Sequence, residues 1–370
     1  MTDIFTYLIG AGASAEKIPV VSQFHSKLIE YRNFFENKNI DWENPSTDSL
    51  QTSRKIKQRV IEELNKLIVL VNGHFSIDTI AKKYYFAGLE NEYKTLKFLI
   101  NEFLTYTEIT KGVDRRYDPF LASILSKSND GQIHFPSNIR ILSWNYDRQF
   151  EYASSQFLND FDNRSVQEKI NVFPGPDPHK VATDDFSVFK LNGTIGNLTD
   201  DKGVNTYRSH ILDLSFIGNK LQEEDLDRIF TKTLERYSQL SSASNFFNDN
   251  IEYSWEDKPH VENVRKQAVA ATKNTKHLTI IGYSFPTFNR QVDREILSSM
   301  SNLKKIFIQA LPDHIAGIEE RLRATIGENR IKNKRIEIHQ IQDVSEFHIP
   351  FEYDFGEDKR RSITGTVITF

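Results

Sequence analysis

Four short stretches of this chain place glycine or small polar side chains directly after apolar runs, and they are where its chemistry is to be sought. They are "GAGASAE" after "IFTYLI" (4–9), "WNYD" (144–147), "FKLNGTIG" (189–196) and "TIIGYSFP" (279–286). Gly10, Gly12 and Ala15 fit G-x-G-x-x-G/A, in which glycine permits a tight turn and lets backbone N–H groups approach a pyrophosphate. The competing reading is a tight strand–helix turn with no ligand. Dinucleotide folds that transfer hydride also need an acidic residue at the end of a second strand, about 20 residues on. Here Glu30 and Glu36 fall in helical pattern instead, which counts against a dehydrogenase.

Asn145, Tyr146 and Asp147 end an apolar run, where polar side chains of an open α/β sheet face the ligand crevice. Alternatively, Asn145 caps the next helix and Asp147 favours its first turn. Asn192 and Thr194 sit in the same way after "FKL". Asn192 poses a sharper question, because an amide hydrogen-bonds but takes up no proton. Gly282 and Ser284 offer a backbone and a hydroxyl to a ribose or phosphate, although each such stretch taken singly is also an ordinary turn. Asp78, in "FSIDTIAKKYY", is either a helix cap or a pocket-facing group, and the cap is favoured.

Composition removes whole classes of function. The 370 residues contain no Cys, which excludes disulfides, thiolate nucleophiles and every cysteine-based zinc or iron–sulfur site. The ten His are scattered without H-x-x-x-H spacing, so no metal site is expected. Neither G-x-x-x-x-G-K-[ST] nor G-x-S-x-G occurs, which sets aside P-loop NTPases and the common serine hydrolases. Lys plus Arg number 47 against 51 Asp plus Glu, so the balance gives no reason to expect direct nucleic-acid binding. The first residues lack a basic leader, and no stretch approaches the roughly 18 apolar residues of a membrane span. A cytoplasmic protein is expected.

The elements that must hold these residues follow from hydrophobic periodicity. "IFTYLI" reads as a buried parallel strand. From about 22 to 127 the period becomes helical, as in Ile56, Val60, Ile61, Leu64, Leu67, Ile68 and Val71. Strand-like runs return at 139–144, 170–173, 186–191, 277–283, 304–310 and 335–341, mostly with helical patterns between them. Such alternation predicts an α/β chain with a parallel sheet covered on both faces and a large helical insertion (22–127) after the first strand. The whole chain (1–370) reads as one domain. Its charged, then strand-like end (356–370) reads as an edge strand, a partner-binding arm or a disordered tail.

Taken in order, "LIGAGASAEKIP" (8–19), "SWNYD" (143–147), "KLNG" (190–193) and "IIGYSFP" (280–286) resemble the sirtuin-like NAD-hydrolase domains of bacterial antiphage defence. The resemblance implies a Rossmann-like fold that binds NAD⁺ as substrate and cleaves off nicotinamide, with no metal. It accounts for the missing second-strand acid. The zinc module of the broader family's protein deacylases needs four cysteines, which this chain lacks. Carried over by position, Gly10, Ala11, Gly12 and Ser14 would cradle phosphates, Asn145 would position the attacking water, Asp147 would support it, and Gly282 and Ser284 would hold the adenosine side. Asn192, with Gly193 beside it, stands where the family's K-L-H-G motif usually has His. Either the natural protein works without this His, or the sequence carries an inactivating substitution. His210 is a weak candidate for its replacement. The resemblance further implies an effector subunit that forms a homo-oligomer and acts with a defence partner, such as a helicase-type ATPase. A sensor that binds NAD⁺ or ADP-ribose without cleaving it, or a scaffold subunit, is the alternative.

Overall fold

The structure is a computed structural model. It describes residues 3–39, 47–74, 76–177, 180–182, 184–199, 205–206, 221–240, 248–253, 255–256 and 258–353. The tail at 356–370 and His210 lie outside the described residues.

The main sheet has seven strands, numbered here in chain order: β1 (Ile4–Ile9), β2 (Ile139–Ser143), β3 (Val172–Phe173), β4 (Ser187–Lys190), β5 (Thr275–Ile281), β6 (Lys305–Gln309) and β7 (Glu337–Ile341). They lie in the order β7-β6-β5-β1-β2-β4-β3, and every pairing is parallel. β2 and β4 are buried along their whole length, as strands covered on both faces of a parallel sheet are, with Arg140 and Lys190 buried among their apolar residues. Successive side chains leave a strand on opposite faces. Leu8, Leu142, Phe189, Leu278, Ile280 and Ile308 therefore enter one core, while Phe5, Tyr7, Ile9, Ile139, Ile141 and Val188 enter another.

The first core is closed by helices α9 (Pro259–Thr272), α10 (Arg290–Ser299) and α11 (Pro312–Ile326), through Ala268, Ile296 and Leu322 among others. The second is closed by α5 (Tyr117–Ile124), α6 (Gln149–Leu158) and α7 (Asn163–Lys169), through Leu121, Ala153 and Val166. This is the Rossmann-like arrangement of helices on both faces of a parallel sheet.

The excursion between β1 and β2 is helical. Four helices, α1 (Phe24–Asn37), α2 (Thr47–Gly73), α3 (Ile77–Phe86) and α4 (Glu90–Lys111), build a third core around Leu28, Tyr31, Phe35, Leu64, Ile80, Leu99 and Phe103. A second excursion completes it. Ile195, Ile251 and Tyr253 join that core, with Phe230 and Leu234 of α8 (Glu223–Leu240). Here Gly193–Thr199 pairs antiparallel with Asn205–Thr206 and Asn248–Ile251 in a small sheet for which the sequence pattern gave no signal.

Candidate functional site

β1 and β5 are neighbours although the chain turns to opposite sides of the sheet from them, β1 leading to β2 and β5 to β6. Ligands in open α/β sheets bind outside the carboxyl ends of strands at such a switch point. The two turns that leave these strands interlock there. Gly10 N–H donates to Ile281 O (3.0 Å), and Gly12 N–H to Gly282 O (2.9 Å). A Cβ on Gly10 would meet Tyr283 Cα at 2.6 Å, and one on Gly12 would meet Gly282 Cα at 2.7 Å. Gly282 itself lies at φ +61°. Glycine at these positions thus serves first to let two backbone turns touch, and the Gly12 N–H is committed to that contact.

Around this junction lies a cavity of about 590 Å³, within the roughly 300–1,000 Å³ of small-molecule and cofactor sites. Gly10, Ala11, Asn145, Asp147, Asn192, Gly282 and Ser284 all line it. Gly12, Ser14 and Gly193 are not part of the lining. Ser14 is fully buried, and its hydroxyl bonds Tyr117 Oη (3.1 Å) and receives the Asn145 side-chain N–H (3.3 Å). Gly193, at φ +73°, opens the small antiparallel sheet by pairing with Ile251.

The "WNYD" loop divides its roles. Asn145 does not cap α6; its Nδ2 donates to Gly10 O (3.0 Å) and Ser14 Oγ, which leaves its side-chain oxygen free of protein partners among the described residues. Asp147 is the group nearest a capping role, its Oδ1 accepting Gln149 N–H at 3.3 Å as α6 begins. Burial raises the Asp147 carboxyl above its usual range, an effect opposed by Lys190 and the Ser14 hydroxyl. Two buried ion pairs fix the loop from below: Arg148 with Glu108 (3.0 Å), and Lys190 with Glu151 (3.1 Å). Lys190 Nζ also donates to Asp147 O at 2.6 Å.

Asn192 is 5% exposed, and its Nδ2 donates to Trp144 O at 3.3 Å. Its Oδ1 is buried without a partner. An amide flip would set that oxygen against the Trp144 carbonyl, so the bond pattern fixes the orientation. An orphaned buried acceptor costs about 1–3 kcal/mol, and it belongs to a residue of the cavity wall.

Several lining residues carried no signal in the sequence. Arg321 of α11 donates from Nε to Ser284 O (2.6 Å), bringing a cation to the turn after β5. Trp144 and Tyr283 stack at 5.9 Å, and Trp144 Nε1 and Tyr283 Oη both donate to Asp293 (3.1 and 2.7 Å). That shared carboxylate ties the ends of β2 and β5 together, and burial pushes its pKa to about 7. Phe285 takes a positive φ (+53°) beside the cavity, a strained conformation for a bulky side chain that is found preferentially at functional sites.

Asp78 also lines the cavity. It is not the cap of α3, because Ser76 Oγ accepts the Thr79 N–H (3.3 Å) in that role. It is half-buried, and burial in its surroundings pushes its pKa up to about 6. Among the described residues, no group of three His, Asp or Glu stands close enough to hold a metal ion, and no helix is long and apolar enough to cross a membrane.

No protein-family model matches the chain, and no curated protein does. Among solved structures it is similar to one described as "Structure of Sir2Tm bound to a propionylated peptide", with 13% identity over 90% of this chain and 94% of that one, at a TM-score of 0.34.

Proposed function

We propose that this chain binds NAD⁺ at the switch-point cavity and hydrolyses it to nicotinamide and ADP-ribose. One observation carries the reading: Gly10 and Ala11 after β1, Asn145 and Asp147 after β2, Asn192 after β4 and Gly282 and Ser284 after β5 line a single cavity. Those are the stretches whose ordered set resembles the sirtuin-like NAD hydrolases. The chemistry of the wall suits the substrate. The free Asn145 oxygen can accept from a water or ribose hydroxyl, and the orphaned Asn192 oxygen can accept a second hydroxyl, relieving its desolvation cost. Arg321 offers a positive charge to the pyrophosphate from the Ser284 side. Nicotinamide leaves through an oxocarbenium-like transition state, so the protein contributes mainly orientation and fixed dipoles.

By the same resemblance, the chain is an effector subunit of an antiphage defence system in the cytoplasm. It forms a homo-oligomer whose activity is controlled by a partner, a helicase-type ATPase. Light scattering on the purified chain measures the first of these, and a monomer at micromolar concentration would count against it.

Nicotinamide release from NAD⁺ tests the activity, comparing the chain with Asn145→Ala and Asn192→His. We expect release by the chain, release at least as fast by Asn192→His, and a loss of roughly 10²-fold or more in Asn145→Ala. Absence of release from both the chain and Asn192→His, with the partner present, would sink the hydrolase reading. Asn192 itself favours a second reading, a sensor that binds NAD⁺ or ADP-ribose without cleaving it. Calorimetric binding by both proteins, with no nicotinamide formed over hours, supports that instead.

A further inference from the structure

The hydrolase reading leaves one gap: water that attacks a ribose must lose a proton, and the residue at 192 cannot take it. The lining of the cavity narrows the candidates. His74 is spent, since its Nδ1 faces Leu70 O (2.8 Å) and must donate there, leaving Nε2 to accept from Lys83 Nζ (2.8 Å). Tyr283 donates its hydroxyl proton to Asp293, and Arg321 carries no acceptor. Asp147 has one carboxylate oxygen engaged by the start of α6 and is 5% exposed. Asp78 differs from all of these. Its helix is capped by Ser76, and its carboxylate bonds no other described residue and forms no ion pair with one.

We propose that Asp78 is the proton acceptor of this site, reaching the cavity from the helical insertion and doing what a side chain at position 192 does not. The inference rests on the NAD⁺-hydrolase reading and supplies its missing catalytic residue. In the step, a water oxygen bonds C1′ of the nicotinamide ribose as the C1′–nitrogen bond breaks. The bonding pair leaves on nicotinamide, which becomes neutral. One water proton passes to the Asp78 carboxylate and from there to solvent, so that NAD⁺ and water give nicotinamide, ADP-ribose and one proton.

The surroundings keep Asp78 a usable base. The titratable groups that face it are Tyr146, Tyr253 and Tyr283, all held well above the usual phenol range by burial, with Asp78 a secondary cause. The Glu252 charge also raises Tyr146 and Tyr253, and His74 and Arg321 share the cavity wall. No cation pairs with Asp78 among the described residues, and burial lifts its pKa to about 6. It is therefore charged at neutral pH, yet more basic than an exposed aspartate.

The test follows nicotinamide release and NAD⁺ affinity from pH 4.5 to 8.5 in the full chain, Asp78→Asn, Asn192→His and the double variant, with thermal unfolding as the check on folding. Asp78→Asn should lower kcat by roughly 10²–10⁴-fold with little change in affinity at pH 8, and should remove an acid limb near pH 6. Asn192→His should rescue it, because a second base then stands in the pocket, cutting the loss to under about tenfold. Asp78→Glu should retain part of the activity. If Asp78→Asn keeps both kcat and the acid limb, or if Asn192→His fails to rescue a folded Asp78→Asn, Asp78 is not the acceptor, while the hydrolase reading stands. If neither the chain nor Asn192→His releases nicotinamide although both bind NAD⁺, the hydrolase reading fails and Asp78 has no proton to accept.

Discussion

At Gly282 two demands meet that only glycine satisfies. The backbone is left-handed, at φ +61°, and an added Cβ would lie 2.4 Å from Ala13 N and from Gly12 C. Gly88 supplies the control, since it has φ +68° but nothing within 4 Å of a built Cβ. Alanine at 88 should cost about 1–2 kcal/mol, the strain of the left-handed region alone. Alanine at 282 should cost clearly more and should also reduce NAD⁺ affinity, because the turn after β1 must move away. Chemical denaturation of both variants, with calorimetry on the folded one, measures this; equal destabilisation would show that the two turns do not depend on each other. The same geometry says what a glycine fingerprint conveys. The spacing of Gly10 and Gly12 picked out the turn after β1, but nothing in it could say that the missing Cβ atoms make room for Tyr283 and Gly282, residues more than 250 positions away. Asn145 and Asp147 make a similar point: their types allow capping or ligand contact alike, and only the position of Gly10 O decides that Asn145 turns toward the cavity.

Among the elements, α3 carries the clearest consequence. Ser76 caps it, Asp78 lines the cavity, and Lys82 Nζ lies 5.4–5.7 Å from the ring centres of Phe86, Trp255 and Phe288. Phe288 also lines the cavity. Loss of the cap in Ser76→Ala should therefore destabilise α3 by about 1 kcal/mol and loosen the cavity wall it forms. Hydrogen exchange reads this directly: amides of α3 should exchange faster while those of β1 and β2 stay protected, and uniform acceleration would mean that α3 is not a separate wall. Legibility at this scale followed burial. β1 was readable to the residue, and the other main strands to within a few, because strands of a parallel sheet stay rich in apolar residues even where Arg140, Lys190 or His339 interrupts them. "GTIGNLT" (193–199) was not, since an antiparallel strand with two glycines, paired to the two-residue strand Asn205–Thr206 and to a segment about fifty residues on, has no apolar run to mark it. The cap was the favoured of two readings of Asp78 because its sequence neighbourhood is that of any helix start; what distinguishes it is a cavity wall assembled from segments distant in the chain.

For the whole molecule, buried carboxyls near the site set the response to pH. Asp293 is 2% exposed, and burial raises its pKa from 3.8 to about 7 in spite of the two hydrogen bonds it accepts from Tyr283 and Trp144. Asp78 is raised to about 6, and burial likewise raises Glu108 against the opposing charge of Arg148. A carboxyl whose folded pKa exceeds its unfolded value holds its proton more tightly in the native state. Its contribution to stability is then complete below the unfolded pKa, near 4, and is lost as pH rises through the folded one. These carboxyls should accordingly favour the fold at pH 5.5 over pH 8, a trend opposed in the same range by His277 and His348, whose pKa values burial lowers. For Asp293 alone the difference is on the order of 1–2 kcal/mol, at 1.36 kcal/mol per pKa unit. Asp293→Asn should keep most of its stability at pH 5.5, because the amide stands in for a protonated carboxyl, and its stability should vary less between the two pH values. Urea denaturation of both proteins at pH 5.5 and 8 separates these effects. If the two lose stability in parallel over that range, Asp293 is ionised in the folded state at both pH values, and the link it makes between the ends of β2 and β5 is an ordinary charged one.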